Sequence, residues 1–358
     1  MKNVYFQLLD ILRQGNQVAL ATIVQAKGST PQVPGASALF SLQGLIQGTI
    51  GGGTVEAAVQ KKIHTALEQK ESCVTEFNLE KDSDSEQGAV CGGCVNVLID
   101  AHPEKNQKVF QELCHSLTQR KGGILVTWLQ DLPGGSMSVS RYWVREDKKV
   151  TDDENKLFSL FRVNRRKLFL RGNPAFFQRE SGTGEKKGSL YLEPVFPSAR
   201  LIIVGAGHIG RAVSHLGSLL NFEITVIDDR PEYANKIRLP DADHIIVEKI
   251  GNAVRNCAIT PDTYLVIATR GHQHDIEALR ECIGSDAAYI GMIGSRKKVR
   301  FTRNKFLEQG WANEEQFDQV HAPIGLSIGS KTVAEIAVSI AAQLIEVRGK
   351  AYSPRGKT

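Results

Sequence analysis

Three groups of residues in this sequence have the types and spacing to do chemistry. Gly205-Ala206-Gly207-His208-Ile209-Gly210 is a Gly-x-Gly-x-x-Gly run, and Asp228 lies twenty-three residues after Gly205. In a strand-to-helix turn, Gly205 would permit the tight bend and Gly207 a close approach of backbone to a phosphate. Gly210 would let helix and strand pack closely. The N–H groups of the new helix, His208 among them, would face that phosphate. An acid at the next strand tip would accept from a ribose diol. Thr269-Arg270-Gly271-His272 and Gly294-Ser295-Arg296-Lys297 supply Arg270 and Arg296, each an anion-binding candidate or a surface residue, and His208 and His272 are the candidates for a general acid.

The second group is Cys91-Gly92-Gly93-Cys94. A C-x-x-C pair lowers a thiol pKa and can close reversibly, yet a thioredoxin-like pair opens a helix and this one precedes a strand. Zinc would need two more ligands from Cys73, His102, Cys114 or His115, with no second close pair to supply them. A soft thiol site for a metal or a sulfur-bearing cofactor and two small residues at a glycine turn stand level. The third group, Gly51-Gly52-Gly53, precedes a helix; it reads as an anion cradle or as a tight strand-to-helix turn.

Two further runs suggest chemistry but read better as helix starts. His272-x-His274 spacing does not put two imidazoles on one helix face, and Asp275 suits a first helical turn. Gly325 to Thr332 resembles a phosphate loop, but Ser330 stands where the pattern needs Gly before Lys331. Thr332-x-x-Glu335 is a capping box.

The elements that must position these groups follow from periodicity and turn residues. Residues 198–358 alternate strand and helix: strands at 201–204, 223–227, 244–247, 263–268 and 287–290, helices at 211–220, 273–283, 297–308 and 332–347. That pattern predicts an α/β fold, a Rossmann-like doubly wound parallel sheet. Ligands bind outside the carboxyl ends of such strands. Residues 1–197 predict an α+β domain: a helix over 1–13, strands at 17–24, 37–42, 45–49, 73–79 and 95–100, and helices near 55–67 and 103–120. Strands at 123–129, 136–144, 167–170 and 189–195 complete it. The shift in composition and the Pro194…Pro197 pair put the boundary near residue 197.

The 358 residues, 41% hydrophobic and 23% charged, suffice for two domains. The net charge of +5 is scattered, which argues against a nucleic-acid partner. No apolar run reaches a membrane span, and the N-terminus lacks a signal peptide's apolar block. Six cysteines in so long a chain predict thiols in a reducing cytoplasm rather than a disulfide scaffold.

Both halves together resemble the XdhC/CoxI family of maturation factors for molybdenum hydroxylases such as xanthine dehydrogenase. The resemblance is carried by Gly28-Ser29-Thr30-Pro31…Pro34-Gly35, Gly48-Thr49-Ile50-Gly51-Gly52-Gly53-Thr54-Val55-Glu56 and Cys91-Gly92-Gly93-Cys94. In the second half it rests on the Gly205 run, Thr269-Arg270-Gly271-His272…Asp275, Tyr289 to Arg296 and Pro323-Ile324-Gly325-Leu326. It implies a cytoplasmic chaperone with little or no turnover. Such a protein would bind the molybdenum cofactor (molybdopterin), support its sulfuration by a cysteine desulfurase, and deliver it to a molybdenum hydroxylase apoenzyme. Cys91 or Cys94 would then sit near the molybdenum, and the glycine turns would take phosphate and pterin edge. The alternative from the Gly205 run and Asp228 is an NAD-dependent oxidoreductase or a nucleotide-sensing module. A homodimer is the general prior for such a chain.

Overall fold

The computed structural model describes residues 3–78, 93–132, 136–145, 147–148, 151–161, 173–179 and 188–352. The chain divides between Pro197 and Ser198 into two units. In the first, helix α1 (Val4–Arg13) starts where the Asn3 side chain accepts from the Tyr5 N–H at 3.0 Å. Strands β1 (Ala19–Lys27), β2 (Ser37–Ser41) and β3 (Gly44–Gly48) are followed by α2 (Gly53–Gln69), β4 (Cys73–Asn78) and β5 (Cys94–Asp100). The strands form one antiparallel sheet in the order β3-β2-β1-β5-β4. Alternation along β1 divides its side chains. Ala19, Ala21 and Ile23 face Val59, Ile63 and Leu67 of α2 in one core, and Leu20 joins a second with Tyr5, Leu8 and Phe110.

Helix α3 (Gln107–Thr118) is shorter than its sequence predicts, because Pro103–Asn106 forms a 3₁₀ turn instead. Asn106 leaves helical geometry to hold a neighbouring strand: its Oδ1 accepts from the Arg141 N–H at 2.9 Å and its Nδ2 donates to the Val139 carbonyl at 3.1 Å. The remaining elements are β6 (Gly123–Asp131), β7 (Met137–Arg145), α4 (Asp152–Leu160), β8 (Ala175–Arg179) and β9 (Gly188–Val195). These strands make a second antiparallel sheet, β7-β6-β9-β8. Leu125, Trp143 and Val195 of this sheet close the core built on α1 and α3. Helix α4 and strand β8 lack the periodicity that would reveal them, and the strand expected at 167–170 lies outside the described residues.

The second unit runs β10 (Arg200–Val204), α5 (His208–Leu219), β11 (Glu223–Asp228), β12 (His244–Val247), α6 (Ile250–Asn256) and β13 (Thr263–Ile267). It continues with α7 (His272–Cys282), β14 (Tyr289–Met292), α8 (Arg296–Glu308), α9 (Glu314–Asp318) and α10 (Val333–Tyr352). All five strands are parallel, in the order β12-β11-β10-β13-β14. The chain moves outward from β10 to β12, then returns to the other side of β10 with β13. The order therefore reverses at the carboxyl end of β10, where an open α/β sheet forms its crevice. Leu201 and Ile203 pack with Val213 of α5 and Ile340 and Leu344 of α10, while Ile202 and Val204 pack with α6 and α7 on the opposite face. This is the Rossmann-like doubly wound sheet expected from the sequence. Helix α10 opens on a capping box: the Thr332 N–H donates to Glu335 Oε2 at 2.8 Å, and the Glu335 N–H to Thr332 Oγ1 at 3.3 Å.

Candidate functional site

The turn from β10 into α5 is possible only with glycine at two of its positions. Gly205 has φ 115°, and a Cβ there would lie 2.3 Å from the Ala268 carbonyl oxygen. A Cβ on Gly210 would lie 1.8 Å from the Gly205 oxygen, so α5 sits against its own turn. Gly207 is different: it caps α5, and its Cβ would point into open space. His208, the first helical residue, is exposed. The turn thus presents helix N–H groups to open space, the arrangement that suits a phosphate.

At the tip of β11, Asp228 is buried with its carboxylate fully engaged. Oδ1 accepts from the Arg230 N–H at 3.1 Å and from Arg230 Nε at 2.9 Å. Oδ2 accepts from Arg230 Nη2 at 3.0 Å and from the Ala206 N–H of the glycine turn at 2.8 Å. Burial pushes this carboxyl's pKa up, but those hydrogen bonds outweigh it and the net shift is downward. The Arg230 guanidinium lies over the Tyr233 ring, 3.9 Å from its centroid. The adjacent Asp229 pairs with Arg270 Nη2 at 2.9 Å, and Arg270 also reaches His274 Nε2 at 3.3 Å.

At the β13 tip, Asp275 is buried and takes the Thr269 N–H at 3.1 Å, Thr269 Oγ1 at 2.6 Å and Lys298 Nζ. It therefore ties the loop to α7 and α8, a structural task. His272 begins α7 with its ring 5.1 Å from that of Phe301, and neither ring nitrogen has a partner among the described residues although both are shielded from solvent. Burial lowers its pKa and Lys298 lowers it further, against the opposing pull of Asp275. Arg296 opens α8 after the Ser295 cap and is exposed. Gly205, Gly207, His208, Gly210, Asp228, Arg270, His272 and Arg296 thus share the carboxyl edge of one sheet.

In the first unit, three glycine-bearing segments distant in sequence meet at one end of the β1–β5 pair. Lys27, the last residue of β1, is opposite Cys94, the first of β5. A Cβ on Gly93 would lie 2.3 Å from the Ser29 oxygen, and one on Gly51 would lie 2.8 Å from Pro31 Cγ. Gly51, Gly52 and Gly53 all have positive φ (130°, 67° and 58°), and Gly52 and Gly53 border open space at the start of α2. Glu56 steadies the entry by accepting from Thr49 Oγ1 at 2.8 Å. The Cys94 thiol is held protonated: burial raises its pKa, the nearby Glu76 raises it further, and Lys27 opposes them. Cys91 lies outside the described residues.

Sequence reading missed the buried polar groups that tie helix α1 and the first sheet to the second sheet of this unit. Tyr5 Oη donates to Glu193 Oε1 at 2.8 Å, while Arg141 pairs with Asp100. Burial raises the Glu193 carboxyl to about 7, against the pull of Tyr5 and Arg141. Ser72, Asp100 and His102 line a cavity of about 160 Å³. They do not form a nucleophilic triad, because the His102 nitrogens go to Glu104 and the Lys70 carbonyl, each at 2.8 Å. Arg230, two residues after Asp228, was visible in the sequence but carried no sign of its partner. Among the described residues no group of three or more His, Cys, Asp or Glu side chains is placed to hold a metal.

Residues 201–344 match the XdhC Rossmann domain, and residues 11–78 match the XdhC and CoxI family. The chain is 26% identical over 350 residues to the uncharacterized protein YqeB of Escherichia coli (strain K12). That alignment covers 98% of this chain and 47% of YqeB, so the chain spans about half of that relative's length. A protein of Bacillus subtilis (strain 168), named as a probable xanthine dehydrogenase subunit, is 25% identical over 97% of this chain and 98% of its own. Over 152 residues, 42% of this chain and 41% of the relative, it is 22% identical to the molybdenum cofactor insertion chaperone PaoD of Escherichia coli (strain K12). A solved structure from Bacillus halodurans, described as a xanthine dehydrogenase, shares the fold with TM-score 0.74 and 24% identity, covering 97% of this chain and 96% of its own.

Proposed function

Because the chain belongs to the XdhC and CoxI family, we propose that it serves in the maturation of a molybdenum hydroxylase, as a carrier of the molybdenum cofactor. The kinship with an insertion chaperone supports the reading. The observation that carries it is the meeting of the Gly28–Pro31, Gly51–Gly53 and Gly93–Cys94 segments at one sheet end.

A cargo with a phosphate, a polar pterin and a dithiolene-bound metal needs donors for oxygen and nitrogen and a soft group near the metal. Glycines with positive φ bring backbone N–H groups to a ligand with no side chain in the way. Cys94, with Cys91, would lie toward the molybdenum. Cys94 is a protonated thiol, so in this reading it shields the metal end and exchanges ligands only after losing its proton. The carboxyl edge of the second unit is a separate candidate, where the Gly205–Gly210 turn and His272 would take a phosphate or a pterin edge and Arg296 would supply charge, Arg270 being held by Asp229. Asp228 would hold the turn and Arg230 in place.

The chain performs no turnover of its own here. Sulfuration falls to a cysteine desulfurase partner, and delivery is to a xanthine-dehydrogenase-type apoenzyme in the cytoplasm, with the carrier acting as a homodimer. No helix among the described residues is long and apolar enough to cross a membrane.

The test is anaerobic equilibrium binding of molybdenum cofactor to the full chain, wild type beside Cys94→Ala and Cys91→Ala. Retention by wild type, weakened in the cysteine variants, with transfer to an apo molybdenum hydroxylase, supports the reading. Failure of reduced wild-type protein to retain the cofactor refutes it. Retention unchanged in both variants removes the cysteines from the site.

A further inference from the structure

We infer that Arg230 sets the ligand class at the carboxyl edge of the second unit: by occupying Asp228, it excludes ligands recognised through a ribose diol, NAD first among them. An ionised carboxylate offers about four acceptor sites. All of them are used, by the N–H, Nε and Nη2 of Arg230 and by the Ala206 N–H. A diol arriving at β11 would bring two donors to an acid with no acceptor left. Asp229 stands one residue beyond the strand tip with Oδ2 tied to Arg270 at 2.9 Å, so a diol read there would have to share that carboxylate with Arg270. The guanidinium does not swing aside freely, because the Tyr233 ring backs its other face. The Ala206 N–H is also withdrawn from any phosphate, leaving the turn's remaining N–H groups to a ligand that has a phosphate but no diol to place.

The arrangement does not convert the site to NADP. Reading a 2′-phosphate takes an arginine whose charge is available, whereas Arg230 and Arg270 are each matched by an aspartate. Exclusion of dinucleotides holds whether or not the molybdenum cofactor binds at this edge.

The experiment is calorimetric titration of NAD and NADP into the full chain, comparing wild type, Arg230→Ala, Tyr233→Leu and Arg230→Ala with Asp228→Asn. Wild type is expected to show no binding of either up to millimolar concentration. Freeing Asp228 in Arg230→Ala is expected to tighten NAD binding by at least about tenfold, the worth of one or two hydrogen bonds to a charged acceptor, and the added Asp228→Asn to abolish that gain. Tyr233→Leu, which leaves Arg230 in place but unbacked, gives a smaller gain in the same direction and serves if Arg230→Ala does not fold. Micromolar NAD or NADP binding by wild type overturns the inference. So does a folded Arg230→Ala, or a folded Tyr233→Leu in its absence, that gains nothing.

Discussion

Glu193 gives the first unit a stability that falls as pH rises, and Glu193→Gln should remove that dependence. Buried against Tyr5, the carboxyl titrates near 7 in the folded chain against an ordinary 4.5. Below 4.5 both folded and unfolded chains hold the proton and the group is neutral in the balance. Between 4.5 and 7 the unfolded chain releases its proton while the folded one keeps it, so stability declines with pH. Above 7 both are ionised and the loss levels off. At 1.36 kcal/mol per unit, the full loss is about 3 kcal/mol. Glutamine keeps an oxygen to accept from Tyr5 Oη and cannot ionise, so the variant should gain relative to wild type across this window. The assay is urea unfolding from pH 4.5 to 8, followed by tryptophan fluorescence in a Trp311→Phe background. Trp128 and Trp143, both in the second sheet of the first unit, then report that unit alone. Wild-type and Gln curves that stay parallel, or a wild type that gains on Gln as pH rises, would refute the burial argument.

Other outcomes follow from the same contacts. Gly210→Ala, whose Cβ would meet the Gly205 oxygen at 1.8 Å, should cost about 3 kcal/mol, the upper end for overpacking; thermal unfolding read at Trp311 measures it. Lys298→Met leaves the buried Asp275 with Thr269 as its one donor among the described residues and should cost about 3 kcal/mol, which urea unfolding read at the same tryptophan checks. Thr332→Ala removes one half of the α10 capping box and should cost about 1 kcal/mol, with hydrogen exchange accelerating first at residues 333–336. The Cys94 thiol, raised by burial and by Glu76, should react with iodoacetamide more slowly than free cysteine at pH 7.5; Glu76→Gln should speed that reaction, as peptide mass spectrometry would show.

Much of the fold is written locally. The βαβ unit around Gly205 follows from four apolar residues, three glycines at fixed spacing and a helix whose apolar positions face one side, and each is a property of neighbours in the chain. The capping box at Thr332 and Glu335 is equally local, as are the amphipathic α1 and the alternation of β1. Where the sequence ran out, the cause was distance or brevity: helix α6 and helix α9 are too short for periodicity to register, and α3 loses its first turn because Asn106 bonds to a strand more than thirty residues away.

The candidate sites divide the same way. By itself the sequence determined that a glycine turn, an acid and two arginines come to one sheet edge, since alternating strand and helix makes the strands parallel and puts their carboxyl ends on the same side; the strand order came from the structure. It also determined which residues could serve a soft or anionic ligand. Only the tertiary structure decided what those residues touch. Asp228 is the acid the spacing predicts, yet its oxygens belong to Arg230 and Ala206. The segments at Gly28, Gly51 and Gly93 share one place because β1 pairs with β5 and Pro31 folds onto Gly51. Glu193 became a titrating group because two sheets and a helix close over it. Hydrogen-bond partners and desolvation depend on residues far apart in the chain, and no local pattern encodes them.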